Sequence, residues 1–187
     1  MVARYGIPPL WARRPGFATL VKIILEQQVS LASARAMYRR LHQHLGEVTP
    51  HPVHGLGPAG LQALGFTRQK AAYTHGLARE LVEARLDLRA LHRLEDDLAR
   101  TRLVALNGVG PWSADCYLLM ALGRPDIWPP GDIALLNAMQ QVKRLRTRPT
   151  VERARRIAAR WAPWRSVAAR ILWHHYLASR AERRALA

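Results

Sequence analysis

Apolar residues recur at helical spacing along almost the whole chain, and this pattern constrains the fold more than any other feature. At residues 16–28 the apolar side chains stand three or four positions apart, as one buried face of a helix requires: Phe17, Leu20, Val21, Ile23 and Ile24. Capping residues such as Ser30, Thr67 and Thr150 mark the starts of further helices. A Pro-, His- and Gly-rich stretch at 49–58 is predicted to interrupt the pattern. No stretch is typical of a strand, so the sequence predicts an all-α fold.

The 187 residues are enough for a sizeable core without an external staple. We expect a single core domain of two helical lobes with a cleft between them. One lobe is predicted at about residues 30–130 and contains a helical hairpin at 103–123; the other combines 1–29 with 131–187. No extra N-terminal domain is expected.

The chain is strongly basic, with 29 Lys and Arg against 13 Asp and Glu and a formal net charge of +16. This excess favours a polyanionic partner. Nucleic acid is preferred over an anionic membrane, because the basic residues are spread over several segments and not confined to one helix face. Cys116 is the only cysteine, which excludes an internal disulfide and a four-cysteine zinc or iron–sulfur site. With no long apolar run, we expect a cytoplasmic, nucleoid-associated protein without a membrane partner.

Two of the predicted helices meet at a glycine turn, residues 106–110, and Pro111 opens the second helix. Glycines permit a tight turn, and the N–H groups at the start of the second helix attract phosphate together with the helix dipole. Ser113 can add a hydroxyl donor. Further on, residues 129–131 (Pro-Pro-Gly) form a bend, and Asp132 follows as the N-cap of another helix.

These motifs resemble the helix-hairpin-helix, Gly/Pro-Asp superfamily of base-excision DNA glycosylases, in the bacterial branch of 3-methyladenine glycosylases II. The similar stretches are 103–114 with Asp132, 23–30, 61–66, and 161–166 with Leu172-Trp173. The resemblance covers nearly the whole chain. It implies a bacterial, monomeric repair enzyme that binds double-stranded DNA with a damaged base, flips the base out, hydrolyses its N-glycosidic bond and leaves an abasic site.

The resemblance makes Asp132 the catalytic carboxylate. Cleavage of the glycosidic bond develops positive charge on the sugar, which a fixed carboxylate stabilises. An alkylated purine is already cationic and leaves as a neutral molecule, so it needs no general acid. The alternative is that Asp132 only caps its helix, and the two roles are compatible.

Trp112 stands where the strand-cutting relatives carry a Schiff-base lysine, so the resemblance implies no lyase activity. Trp112 and Trp173 are expected to line the base pocket, where aromatic rings stack on a flipped cationic base; a purely structural Trp112 is the alternative. Cys116 lies one turn after Trp112 and should share its face as a buried, inert thiol. Because Cys116 is small, the range of damaged bases stays open.

Gln28, or Gln27 beside it, is the predicted wedge that fills the hole left by the flipped base, unless both are ordinary polar residues at a helix end. Gly108, Gly110 and Ser113 are predicted to hold a DNA phosphate. No cofactor is required, although the carbonyls of Val104, Leu106 and Val109 are implied as ligands of a structural Na⁺ or K⁺ at the hairpin.

Five further residues and two alternative functions complete the expectations. Arg68 and Lys70 could contact phosphate or simply be solvated. Trp161 and Trp164 are expected in the core, with Ser166 as a capping donor where the last helix starts. The alternatives to an alkylpurine glycosylase are a glycosylase for a deaminated or oxidised base, and a non-catalytic DNA-binding module.

Overall fold

The computed structural model describes residues 2–185, and every regular element in that range is a helix, which confirms the predicted all-α fold. The α-helices are α1 (Val2–Tyr5), α2 (Phe17–Glu26), α3 (Leu31–Leu45), α4 (Pro50–Ala63), α5 (Arg68–Val82), α6 (Asp96–Val104), α7 (Pro111–Met120), α8 (Ile133–Val142), α9 (Val151–Ala159) and α10 (Arg165–Ala185). A 3₁₀ turn at Ala90–Arg93 lies between α5 and α6. No helix among these residues is long and apolar enough to cross a membrane.

The chain divides into two compact units. The first, here called the hairpin unit, is formed by residues 13–117, and the second, the terminal unit, combines residues 2–12 with 118–185. The predicted lobes divided the chain at residues 30 and 130. The helix α2 belongs to the hairpin unit because its apolar face packs against α3 and α5.

The core of the hairpin unit is built around α2, whose buried face consists of the residues that the helical spacing picked out: Phe17, Leu20, Val21, Ile23 and Ile24. The helices α4 and α5 pack against each other beside it. The predicted interruption at 49–58 is too long: the helix already starts at Pro50, but the backbone leaves the helical conformation at Gly57 (φ +68°, ψ 174°) before a second helical segment runs to Ala63. Pro50 occupies the first helical position, where a missing N–H costs nothing, and buried Val53 anchors the turn.

The terminal unit is formed by α1, α8, α9 and α10, with α10 packed against the other three. The ring of Trp128 lies 5.6 Å from that of Trp161. Trp164 is 60% exposed, so its predicted place in the core is wrong. It precedes α10 at a surface turn in which its N–H donates to Trp161 O.

Candidate DNA-binding and catalytic residues

The hairpin consists of α6, the turn at residues 105–110 and α7. Within the turn, Val109 N donates to Leu106 O at 3.0 Å, and the first hydrogen bond of α7 runs from Ala114 N to Gly110 O. Arg100 on α6 donates to the buried carboxylate of Asp115 on α7 at 2.6 Å, which ties the two helices together. Sequence reasoning missed this pair, because nothing local distinguishes it from solvated charges.

The two predicted phosphate-binding glycines have different surroundings. Gly108 has φ +85°, and a Cβ built there would lie 2.2 Å from Cγ of Tyr73. Only glycine fits that position, both for its backbone conformation and for its contact with the Tyr73 ring. A Cβ at Gly110 would meet nothing within 4 Å. Gly110 therefore leaves open space beside the start of α7, where a helix presents N–H groups without intrahelical partners.

Gln27 and Gln28 are adjacent in sequence but differ in their contacts. The side chain of Gln27 is half-buried, and its Nε2 donates to Gly108 O and to Ser113 Oγ, each at 2.8 Å. Ser113 is 2% exposed, and its hydroxyl accepts in this bond. Gln28 is exposed and has φ +56°, a backbone conformation that residues other than glycine rarely adopt. The structure thus brings Gln27, Gly108 and Ser113 together and leaves Gln28 facing solvent.

Lys70 is neither solvated nor available to a phosphate, so that expectation is wrong. Its side chain is 7% exposed, and Nζ donates to Leu25 O at 2.5 Å and to Gln27 O at 2.9 Å. Burial lowers the pKa of the Lys70 ammonium. The sequence carried a signal for this burial, because Lys70 stands next to Ala71 and two helical turns before Leu77, on the side of the helix that these apolar residues mark.

Asp132 has the geometry of an N-cap. Its backbone is extended (φ −64°, ψ 113°), and Oδ1 accepts from Leu135 N at 2.9 Å in the first turn of α8. The side chain is half-buried. The capping role is therefore present, and it fixes the carboxylate in one orientation.

The loop that leads to Asp132 is held by the start of α10. Ser166 is fully buried, and its hydroxyl donates to Arg124 O at 2.6 Å and accepts from Ile127 N at 2.9 Å. Beside it, Arg165 forms two hydrogen bonds with the carboxylate of Asp126, at 2.7 and 2.9 Å. These bonds lower the pKa of Asp126. Ser166 is therefore a donor, and its partner is the loop at residues 124–127; its predicted capping of the last helix stays a prediction.

The predicted pocket residues lie in both units. In the hairpin unit, Trp112 is half-buried and Cys116 is 2% exposed, one turn further along α7. The thiol of Cys116 is buried, as predicted. In the terminal unit, Trp173 is buried on α10, and its ring meets that of Trp11 edge-on at a centroid distance of 6.4 Å.

The predicted cation ligands are backbone carbonyls of the hairpin. Leu106 O already accepts from Val109 N, and a carbonyl oxygen has a second lone pair that a cation can use. Among residues 2–185, no group of three or more His, Cys, Asp or Glu side chains is placed to hold a metal ion. A cation at the hairpin would therefore depend on the carbonyls of Val104, Leu106 and Val109 alone.

The comparison with protein families matches residues 21–163 to the "HhH-GPD superfamily base excision DNA repair protein" family. The chain is 27% identical over 180 residues to a DNA-3-methyladenine glycosylase of Bacillus subtilis, which covers 90% of this chain and 57% of the relative. It is 29% identical over 188 residues to DNA-3-methyladenine glycosylase 2 of Escherichia coli, with 92% of this chain and 64% of the relative covered.

Among solved structures, the 3-methyladenine DNA glycosylase of Schizosaccharomyces pombe in complex with abasic DNA superimposes with a TM-score of 0.81. The identity is 22%, and the match covers 90% of this chain and 82% of that one, so the likeness shows a shared fold. The chain belongs to the HhH-GPD superfamily of base excision DNA repair proteins. It spans a little over half the length of the Bacillus subtilis relative.

Proposed function

We propose that the protein is a monofunctional DNA glycosylase that acts as a monomer on double-stranded DNA, hydrolyses the N-glycosidic bond of alkylated purines and leaves an abasic site. The observation that carries this proposal is Asp132, a half-buried carboxylate fixed at the start of α8 by the N–H of Leu135. Membership of a base excision repair family and the names of the relatives support the reaction class.

In this proposal Asp132 stabilises the positive charge that develops on the sugar as the bond breaks. A carboxylate that is already oriented does not have to reorganise during the reaction, and such preorganisation is a large part of electrostatic catalysis. The hydrogen bond to Leu135 N and the loop held by Ser166 supply that orientation. A cationic alkylated base then departs as a neutral molecule without a proton donor.

The surroundings of the lysines support hydrolysis without strand cleavage. A lyase needs an accessible amine to form an imine with the sugar. The chain has three lysines: Lys70 donates to two carbonyls, Lys22 lies 4.4 Å from the centroid of the Tyr38 ring, and Lys143 lies 5.5 Å from that of Trp161. Lys70 and Lys22 are thus engaged, whereas Lys143 is exposed. By the resemblance, Trp112 stands where the strand-cutting relatives carry their Schiff-base lysine.

We assign DNA contacts to the hairpin unit. The open space at Gly110 and the start of α7 fits a phosphate oxygen. Ser113 is buried and accepts from Gln27, so its direct contact with a phosphate stays a prediction from the sequence. Gln28, exposed and in a left-handed conformation, is the proposed wedge. Stacking of Trp112 on the flipped base, the same role for Trp173, and a Na⁺ or K⁺ at the hairpin carbonyls remain predictions from the resemblance.

The test compares base release by the unmodified protein and by Asp132→Asn. The substrates are duplex oligonucleotides that each carry one of five bases: 3-methyladenine, 7-methylguanine, 1-methyladenine, hypoxanthine or ethenoadenine. Asparagine caps a helix about as well as aspartate, so the variant keeps its fold and loses the charge. We expect a loss of about 100-fold or more in the single-turnover rate.

Asp87→Asn is the matched control, because Asp87 is exposed and also accepts a backbone N–H, that of Arg89. It should retain full activity. If Asp132→Asn matches the unmodified protein, Asp132 is only a cap. If the unmodified protein binds duplex DNA tightly and releases none of the five bases, the protein is a DNA-binding module. Release of hypoxanthine alone would favour a glycosylase for deaminated bases.

A further inference from the structure

One face of α5 contacts two separate elements of the proposed DNA-binding surface. Lys70 and Tyr73 stand three positions apart and therefore lie on the same side of the helix. Lys70 reaches the end of α2, where Nζ donates to Leu25 O and Gln27 O. The ring of Tyr73 lies against Gly108 in the hairpin turn. The helix α5 thus contacts both the wedge turn, defined as residues 27–28, and the phosphate-binding hairpin.

A direct link also joins the wedge turn to the hairpin. The side chain of Gln27 donates to Gly108 O and Ser113 Oγ, while its backbone carbonyl accepts from Lys70. The backbone and the side chain of Gln27 are therefore both held. Gln28 follows at once with φ +56° and an exposed side chain.

Burial of the Lys70 ammonium costs free energy, so a specific interaction must compensate for it. A methionine would fill a similar volume without the cost of removing an ammonium from water. The last carbonyls of a helix lack partners within the helix and carry the negative end of its dipole. At the end of α2 the ammonium satisfies two carbonyls by charge-assisted hydrogen bonds. An apolar side chain would leave Leu25 O and Gln27 O without this donor and the wedge turn free to relax.

We propose that Lys70 is a positioning residue for base flipping, which holds the wedge turn so that Gln28 points into the duplex while the hairpin holds the phosphate. Through Gln27, the wedge and the hairpin then meet the DNA as one preorganised surface. This inference rests on the proposed glycosylase function. It predicts that Lys70 affects the extrusion of a paired base much more than the chemistry at a base that is already unpaired.

The experiment measures single-turnover release of the same alkylated purine from a duplex and from a single strand. Lys70→Met should slow release from the duplex about 10- to 100-fold, because each tenfold fall in rate corresponds to a barrier only about 1.4 kcal/mol higher. It should slow release from the single strand by less than about threefold. Lys22→Met is the matched control, because Lys22 lies over the Tyr38 ring in the same unit. It should behave like the unmodified protein on both substrates.

A double-mutant cycle tests whether Lys70 acts through Gln28. In a Gln28→Ala background, Lys70→Met should slow duplex release by less than about twofold, because the wedge is already absent. Independent, multiplying effects of the two substitutions would overturn the proposal. Equal losses on duplex and single strand would also overturn it, since they would show a general structural defect.

Two further measurements cover the cases in which Lys70→Met does not fold or the unmodified protein releases no base. If Lys70→Met does not fold, Gln27→Leu cuts the same link from the hairpin side and must show the same duplex-specific loss. If the unmodified protein releases no base at all, the proposed function fails, and the role of Lys70 is tested by base extrusion alone. The fluorescence of 2-aminopurine placed in the duplex should rise when the unmodified protein binds, and should rise less when Lys70→Met binds. An equal response from both proteins would overturn the positioning role.

Discussion

Substitution of Gly108 and of Gly110 by alanine, one at a time, should have different effects: the first should lower the stability of the hairpin, and the second should lower its affinity for DNA. At Gly108 an alanine would adopt φ +85°, in the left-handed region, at a cost of about 1–2 kcal/mol. Its Cβ would also lie 2.2 Å from Cγ and 2.6 Å from Cβ of Tyr73. Because the overlap includes the root of the tyrosine side chain, a ring rotation cannot relieve it, and overpacking of this kind costs about 1–3 kcal/mol. Gly108→Ala should therefore lower the free energy of unfolding by about 2–5 kcal/mol.

Gly110→Ala should leave the stability almost unchanged and weaken the binding of DNA. A Cβ there meets no atom within 4 Å, and the backbone is outside the left-handed region. Stability should stay within about 1 kcal/mol of the unmodified protein, with a slight gain from the less flexible unfolded chain. The added methyl would stand where the phosphate must approach, so affinity for duplex DNA should fall about tenfold, which corresponds to about 1.4 kcal/mol.

Urea unfolding followed by circular dichroism gives the stabilities, and fluorescence anisotropy with a labelled duplex gives the affinities. Tyr73→Ala in the Gly108→Ala background removes the overlap with the ring but keeps the overlap with Cβ of residue 73, so it should recover only part of the overpacking cost. The reasoning is refuted if Gly108→Ala is as stable as the unmodified protein, or if Gly110→Ala destabilises the fold as much as Gly108→Ala does.

Three further predictions concern the terminal unit. Ser166→Ala removes the buried hydroxyl that binds Arg124 O and Ile127 N, and should cost about 1–3 kcal/mol in urea unfolding; an unchanged midpoint would show that the loop before Asp132 is held by other contacts. The hydrogen bonds from Arg165 lower the pKa of Asp126, so their stabilisation is complete above the unfolded-state pKa of about 3.9 and is lost as the pH falls through the lower folded-state value. Arg165→Met should remove this part of the acid sensitivity, and unfolding midpoints at pH 7 and below pH 4 would show whether the two proteins converge in acid. The exposed arginines Arg153, Arg156 and Arg160 lie on or directly after α9; if they neutralise DNA phosphates, their joint replacement by alanine should reduce the slope of log Kobs against log [salt] by about 0.9 per lost contact, whereas an unchanged slope would place the DNA elsewhere.

The helix starts could be predicted from the sequence because capping is local chemistry. Ser30, Thr67 and Thr150 each accept a hydrogen bond from the backbone N–H three residues ahead, as their positions before apolar helical patterns indicate. The break predicted at 49–58 was too long for a related reason. Pro50 is harmless at a first helical position, so the helix starts there, and the backbone leaves the helical conformation only at Gly57.

The contacts around the wedge turn could not be predicted in the same way. Lys70 donates to carbonyls 45 and 43 residues earlier in the chain, and Gln27 donates to a carbonyl 81 residues later. A local pattern shows that Lys70 lies on the buried face of α5, but it does not show which carbonyl oxygens its ammonium contacts. Only the packing of α2 against α5 brings them together.

The capping role of Asp132 and its proposed catalytic role are best understood as one arrangement. A carboxylate that rotated freely would have to be ordered during each reaction, and this ordering would add to the barrier. The N–H of Leu135 fixes one oxygen, and the loop held by Ser166 and Arg165 fixes the backbone that carries it. The residue types on both sides follow from this requirement: Pro-Pro-Gly excludes helix before Asp132, and the apolar face of α8 holds the helix after it. A helix cap at this position is therefore what a preorganised carboxylate needs, and the cap geometry strengthens the case for Asp132 as the catalytic residue.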